Sequence, residues 1–324
     1  MMRSSNAQRP GLLGTMLRLV RWSAALGIFA LVAAFTAAPF LSPYSAKADL
    51  ATQFLLQGSV FTALALLVAV LRRHWRAGAA LAACFALQLF VIQPPITPRP
   101  AEAGHDTLRL VFANVWARND ARPQAVEVLK GLDADILVMA EFVDGWDADG
   151  RSMTADYAER ADCGERPGCD VVVLSRFPIE SRLAPEHKKH FSTVLARIAT
   201  PLGPLDVIGA HVVQPLPLGR VHLQEQHAQL LRDLAAGRDR PVVMVGDFNA
   251  VPWGRIIQTI EAGTDLRAAR GLEGTWHADL PWPMRIPIDH VLVGPDLQIA
   301  RREVIDVPGS DHKGVLVELR RTGA

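Results

Sequence analysis

Three apolar runs without a charged side chain dominate the first hundred residues: 22–41, 51–71 and 77–92. A bilayer core leaves an unpaired backbone N–H or C=O unsatisfied, so such runs fold there as helices or not at all. About twenty apolar residues span the hydrocarbon region. The first two runs have that length; the third is shorter, with no charge before Arg99. A cleaved signal peptide fits only the first run. Buried helices of a soluble protein would have to explain three runs in series, each ended by Arg or Pro. We expect three transmembrane helices.

Basic residues orient them, since cytoplasmic loops carry the excess of Lys and Arg. Arg3, Arg9, Arg18 and Arg21 precede the first run, and Arg72, Arg73 and Arg76 follow the second. The loop between them, 42–49, has only Lys47. A third crossing places everything after about residue 98 on the extracytoplasmic side of the cell membrane. Segment 93–100 is rich in proline and reads as a stiff linker. The expected organisation is an anchor over 1–97, a linker over 98–106 and a catalytic domain over 107–322.

The two parts differ in charge. Residues 1–103 hold nine Lys/Arg and two Asp/Glu, a net of +7; residues 104–324 hold 25 and 31, a net of −6. Cys84 lies in an apolar run and reads as inert. Cys163 and Cys169 bracket a short loop in the exported part, where a disulfide is plausible and two free thiols are the alternative. No second cysteine pair completes a zinc pattern.

From Thr107 short apolar runs alternate with turns. Strands are expected over 108–113, 136–140, 171–174, 194–199, 205–210, 242–245, 291–293 and 315–319, and helices over 123–131 and 220–236. Leu223, Leu230, Leu231 and Leu234 mark one side of the second helix. Many strands with few helices imply packed sheets covered by helices.

Chemistry-bearing residues stand at the strand ends. Asn114 follows the first strand, Glu141 the second and His211 a third. Asp247 and Asn249 follow Val-Met-Val-Gly, Asp289 opens another strand, and Ser310-Asp311-His312 precedes the last. One acid at a strand end is ordinarily a turn or cap. Six junctions with acids, amides and imidazoles suit a hard divalent cation and a phosphate ester.

These strings resemble the endonuclease/exonuclease/phosphatase family, with its deoxyribonuclease-I-like fold. The matching pieces are Phe-Ala-Asn114-Val, Val-Met-Ala-Glu141-Phe, Leu-Ser175-Arg176-Phe-Pro, Ala-His211-Val, Gly246-Asp247-Phe248-Asn249, Thr275-Trp276, Ile-Asp289-His290-Val and Ser310-Asp311-His312. They run in the family's order across nearly all of 106–320. The resemblance implies an α/β, four-layer sandwich preceded by the transmembrane helices. It also implies roles. Glu141, with Asn114 and Asp311, would bind Mg2+ or Mn2+. Asp247 would activate water and Asn249 would hold the water or a phosphate oxygen. His312, bonded to Asp289, and His211 would contact the phosphate. Asn119 is a further candidate from a partly matched first motif.

Other residues take plainer readings. His187 and His190 lack an acid or cysteine to complete a metal site, and His222 and His227 do not share a helix face. His290 packs within its strand. Trp282, between two prolines, reads first as packed on its own domain, with a wedge at the membrane surface as the alternative. Arg176 is either a structural ion pair or a phosphate contact.

The sequence thus describes a membrane-anchored, metal-dependent phosphoesterase. Its expected partners are the lipid bilayer and a phosphorylated substrate, most simply a lipid or envelope precursor; no protein partner is predicted. An exported nuclease is the alternative, disfavoured because nucleic acid binding relies on Lys and Arg, which a domain at −6 lacks in excess. A catalytically dead binding module is disfavoured by the intact ligand set.

Overall fold

The computed structural model describes residues 12–93, 107–143, 145–146, 155–163, 168–185, 191–269 and 271–322. The expected linker over 98–106, His187 and His190 lie outside them.

Four helices come first: α1 (Leu12–Leu41), α2 (Ala46–Thr52), α3 (Leu55–Leu71) and α4 (Trp75–Ile92). Two segments, Arg18–Tyr44 and Trp75–Ile92, are long and apolar enough to cross a membrane singly. The expected second span is bent: α2 and α3 meet at 66° and qualify only as a pair. The break has a local cause. The Gln53 and Phe54 amides reach back three residues, to Leu50 O and Ala51 O, which tightens and ends α2. The Gln53 side chain then leaves the helix to accept the Val251 N–H at 3.0 Å.

The remaining described residues build two six-stranded sheets. One contains β1 (Leu108–Asn114), β2 (Ile136–Ala140), β3 (Glu159–Asp162) and β4 (Val172–Ser175). The other contains β5 (Ile179–Leu183), β6 (Ser192–Thr200), β7 (Gly203–His211), β8 (Val242–Asp247), β9 (Arg267–Ala268) and β10 (Asp289–Val293). β11 (Leu297–Ile305) and β12 (Gly314–Arg321) return to the first sheet. The orders are β11-β12-β1-β2-β4-β3 and β5-β6-β7-β8-β10-β9. Each sheet has one parallel pair at its centre, β1 with β2 and β7 with β8, and antiparallel pairs elsewhere.

Alternation along the strands makes the layers. Leu110, Phe112, Ile136 and Val138 point from the first sheet toward Val207, Val245 and Val291 of the second. Their neighbours Val111, Ala113, Leu137 and Met139 face the opposite way, onto α5 (Arg122–Gly131). Ile208, Ala210 and Met244 back onto α6 (Val221–Ala235) and α7 (Arg255–Ala262). Helix, sheet, sheet and helix give the expected four layers. Strands buried on both faces read as unbroken apolar runs, which is why the central ones stand out in the sequence.

The inner face of α6 differs from the expected leucine stripe. Gln224, His227, Ala228, Leu231 and Ala235 are buried, whereas Leu223, Leu230 and Leu234 are half-buried. Gln224 earns its inward place by donating to Asn249 O at 3.0 Å. His227 Nε2 lies 2.8 Å from Thr193 Oγ1, and its ring stacks on Phe191. His222 is exposed, so the two imidazoles do not share a face.

Candidate active site

Strand direction gathers the expected residues at one edge of both sheets. The parallel pairs end there, and their antiparallel neighbours begin there. In the second sheet His211, Asp247 and Asp289 are direct partners in register, one row across three strands. In the first sheet Asn114 ends β1 opposite Ala140, and Glu141 follows. Gly246 makes the row possible: a Cβ on it would stand 1.9 Å from Ala210 O. Glu141 and Asn249 both have left-handed backbones, φ 56° and φ 48°. The chain turns sharply at these strand ends instead of running on.

Hydrogen bonds tie the cluster together. Asn114 Nδ2 donates to Glu141 Oε1 at 3.1 Å and to Asp247 Oδ2 at 3.2 Å, bridging the two sheets. Its Oδ1 accepts the Trp116 N–H, which fixes the amide in this sense. Asn114 was expected as a metal ligand; here its nitrogen, not its oxygen, faces the carboxylates. Glu141 Oε2 accepts the Ala117 N–H, and Asp247 Oδ1 accepts the Asn249 N–H at 2.8 Å. Asn249 Nδ2 donates to Val212 O. His312 Nδ1 is 3.0 Å from Asp289 Oδ2, and its Nε2 is 3.7 Å from Asp247 Oδ2. His211 mirrors it, with Nε2 3.7 Å from the same oxygen.

Sequence reasoning missed the partner of His211. Asp170 Oδ2 lies 2.9 Å from His211 Nδ1. Asp170 adjoins Cys169, which is joined to Cys163 by a disulfide. It stands just before the strand expected over 171–174, a position that was not taken up among the strand-end candidates. Trp276 was matched without a role; its Nε1 donates to Asp311 Oδ2 at 3.3 Å. Asn119 is buried away from the cluster, donating to Val115 O and Pro308 O. Arg176 pairs with Asp133 at 2.6 Å, and His290 packs on Phe248 with Nε2 at Ala250 O. Trp282 is not packed: it is 53% exposed on a short turn with Met284.

The protonation pattern follows from burial and charge. Burial alone would lower the His211 pKa, but Asp170, Asp247 and Glu141 outweigh it and push it up to about 10. For His312 burial is likewise overcome by Asp289, Asp247 and Asp311, to about 9. Burial raises Asp247 to about 6, against the pull of His312. At neutral pH two imidazolium rings therefore face one carboxylate.

The cluster floors a cavity of about 470 Å³, which Glu141, Asp170, His211, Asp247, Asn249, Trp276, Asp311 and His312 line. Arg220 adds a guanidinium that no carboxylate pairs with among the described residues. Leu50, Gln53 and Phe54, from the helical segment, line the same cavity.

A sequence model of the endonuclease/exonuclease/phosphatase family matches residues 111–312. The chain belongs to that family. No curated protein matches it. Solved structures of the endonuclease/exonuclease/phosphatase fold do. One from Beutenbergia cavernae is 20% identical, with TM-score 0.56 over 67% of this chain and 72% of its own. A mannosyl-6-phosphatase of Bacteroides thetaiotaomicron is 17% identical, with TM-score 0.52 over 65% and 99%. D. rerio TDP2, in complex with a single-strand DNA product, is 12% identical, with TM-score 0.54 over 66% and 99%. At these identities the likeness establishes the fold.

Two groups of donors suit the divalent cation on which the family's hydrolases typically rely. Asp247, Asp289 and His312 each bring a ligand atom within 4.8 Å of the others. A cation there would break the His312–Asp289 contact. Glu141 and Asp311 bring further carboxylates to the cavity. Buried Asp311 Oδ1 has no hydrogen-bond partner among the described residues. An oxygen-only pair of this kind suits a hard cation.

Proposed function

We propose that the protein is a membrane-anchored, divalent-metal-dependent phosphoesterase whose catalytic domain faces the extracytoplasmic side. The substrate is a phosphate or pyrophosphate ester of a lipid or envelope precursor. The observation that carries the hydrolytic reading is the convergence of His211 and His312 on Asp247, each at 3.7 Å. Asp247 takes the proton of the attacking water, its carboxylate aimed by the Asn249 N–H and by Asn114. His312 and His211 donate to phosphate oxygens and neutralise the charge that grows on them, each ring held by its own aspartate. Asn249 lines the cavity beside the water path. Glu141 and Asp311 would hold Mg2+ or Mn2+, which would supply Lewis-acid stabilisation of the charge on the phosphate.

The location reading rests on the apolar spans and the basic residues. Arg72, Arg73 and Arg76 lie at the turn between α3 and α4, opposite the end where Leu55 and Ile92 pack with Val251 and Trp253 of the catalytic domain. A reporter fused after Ala103 is expected to behave as exported. The lipid reading rests on this proximity and on the acidic domain. The DNA-bound TDP2 structure keeps a nuclease as the second reading.

The test is a substrate panel with the full-length protein in nanodiscs, with and without Mg2+. It compares lipid phosphates and pyrophosphates, nucleotides, plasmid and single-stranded DNA. Faster nucleic acid cleavage sinks the lipid reading, and full activity in excess chelator sinks the metal.

A further inference from the structure

The cavity has a wall that the chemistry does not use. Leu50 and Phe54 stand on either side of the α2–α3 bend, and Leu216 faces the cavity from the segment after β7. Phe54 is 42% exposed and Leu216 is 44% exposed, although both border a buried polar cluster. An exposed ring beside a polar floor gains when an apolar group covers it.

The bend is held in place. Gln53 accepts the Val251 N–H, Thr52 O accepts the Trp253 indole N–H at 3.1 Å, and Asp49 pairs with Arg255 at 3.5 Å. One turn further, Gln57 Nε2 donates to Pro283 O and Arg285 O. That bond fixes the exposed Trp282 and Met284 turn against the start of α3. From there α3 presents Val60, Leu64, Leu67 and Val68 outward. The polar floor, the apolar wall and the outward apolar face of α3 thus follow one another from the cluster toward the spanning helices.

We propose that Leu50, Phe54 and Leu216 form a subsite for the hydrocarbon chain of the substrate, built jointly by the anchor and the catalytic domain. The chain leaves the phosphate at His211 and His312, crosses the α2–α3 bend and continues beside α3. This rests on the phosphoesterase reading and narrows its substrate to an amphiphile. The anchor is then part of the binding site and not only a tether.

Binding of n-alkyl phosphonates from methyl to octyl, whose C–P bond a phosphoesterase does not hydrolyse, tests this without turnover. The full chain is held in nanodiscs with Mg2+, and heats into empty nanodiscs are subtracted to remove partition into lipid. Each added CH2 over the first several carbons is expected to tighten binding by up to about three- to fourfold. Phe54→Ala and Leu50→Ser are expected to flatten that dependence, Phe54→Leu to keep most of it, and Leu183→Ala, on an edge strand, to leave it as in the wild type. A wild-type affinity that ignores chain length overturns the subsite, as does a dependence that survives Phe54→Ala and Leu50→Ser together. Chain-dependent binding with no hydrolysis of any phosphate ester leaves the subsite standing and removes the catalytic reading instead.

Discussion

Asp289 Oδ2 sits 3.0 Å from His312 Nδ1, and both side chains are buried, so the ring is fixed with its other nitrogen toward Asp247. The carboxylate does two things at once: it orients the imidazole and stabilises its charge. Asp289→Asn keeps the shape and loses the charge. We expect kcat to fall roughly 100-fold, with the fold retained by circular dichroism. An unchanged kcat would refute the role given to this pair.

Asp170 does the same for His211 from the other side of the cavity. The protonated ring is the working form, so activity is lost as pH rises through its pKa. With Asp170 present that pKa is pushed up to about 10, and His312, at about 9, titrates first. Asp170→Asn returns His211 toward the ordinary imidazole value of about 6.5. The alkaline limb of the pH–rate profile is therefore expected to move down toward neutrality. A limb that stays in place excludes His211 as a charged donor.

Removing the anchor exposes more than a linker. Val251 and Trp253 are buried against Leu55 and Ile92, and the Trp253 indole loses its acceptor at Thr52. A fragment starting at residue 104 is expected to melt lower than the full chain and to bind hydrophobic dyes. Trp253→Ala in the full chain is expected to cost about 3–5 kcal/mol, the usual price of a truncated buried aromatic. Equal melting temperatures for fragment and full chain would show that this contact contributes nothing.

Gly246 lies beneath the row of His211, Asp247 and Asp289. A methyl group there meets the Ala210 carbonyl, which is backbone and has no rotamer to yield. Gly246→Ala is expected to destabilise by about 1–3 kcal/mol and to spread β7 from β8, so activity falls further than stability. Thermal unfolding and kcat measured on one preparation separate the two effects.

The four strands that the sequence hides are β3, β5, β9 and β11, and these are the four sheet edges. Edge strands carry charge to discourage pairing with other chains. Glu159, Arg160 and Asp162, Arg267, and Arg301 to Glu303 do so here, and they break the apolar pattern that betrays the central strands. The site residues were legible for the opposite reason: each follows or opens a strand at the heart of a sheet. Asp170 was not, since its value lies in reaching His211 across 41 positions of sequence. Nor was the bend at Gln53, because an apolar run gives no hint that one carboxamide will leave it for Val251.

The left-handed backbone at Glu141 has a consequence for how this protein can change. A residue with a Cβ held at φ 56° sacrifices about 1–2 kcal/mol that glycine would recover. Glycine there would also remove a carboxylate from the cavity. Selection for a relaxed backbone and selection for turnover thus pull in opposite directions at this position. Glu141→Gly is where an inert form of the molecule is to be sought, one able to hold an uncleaved ester long enough to be seen.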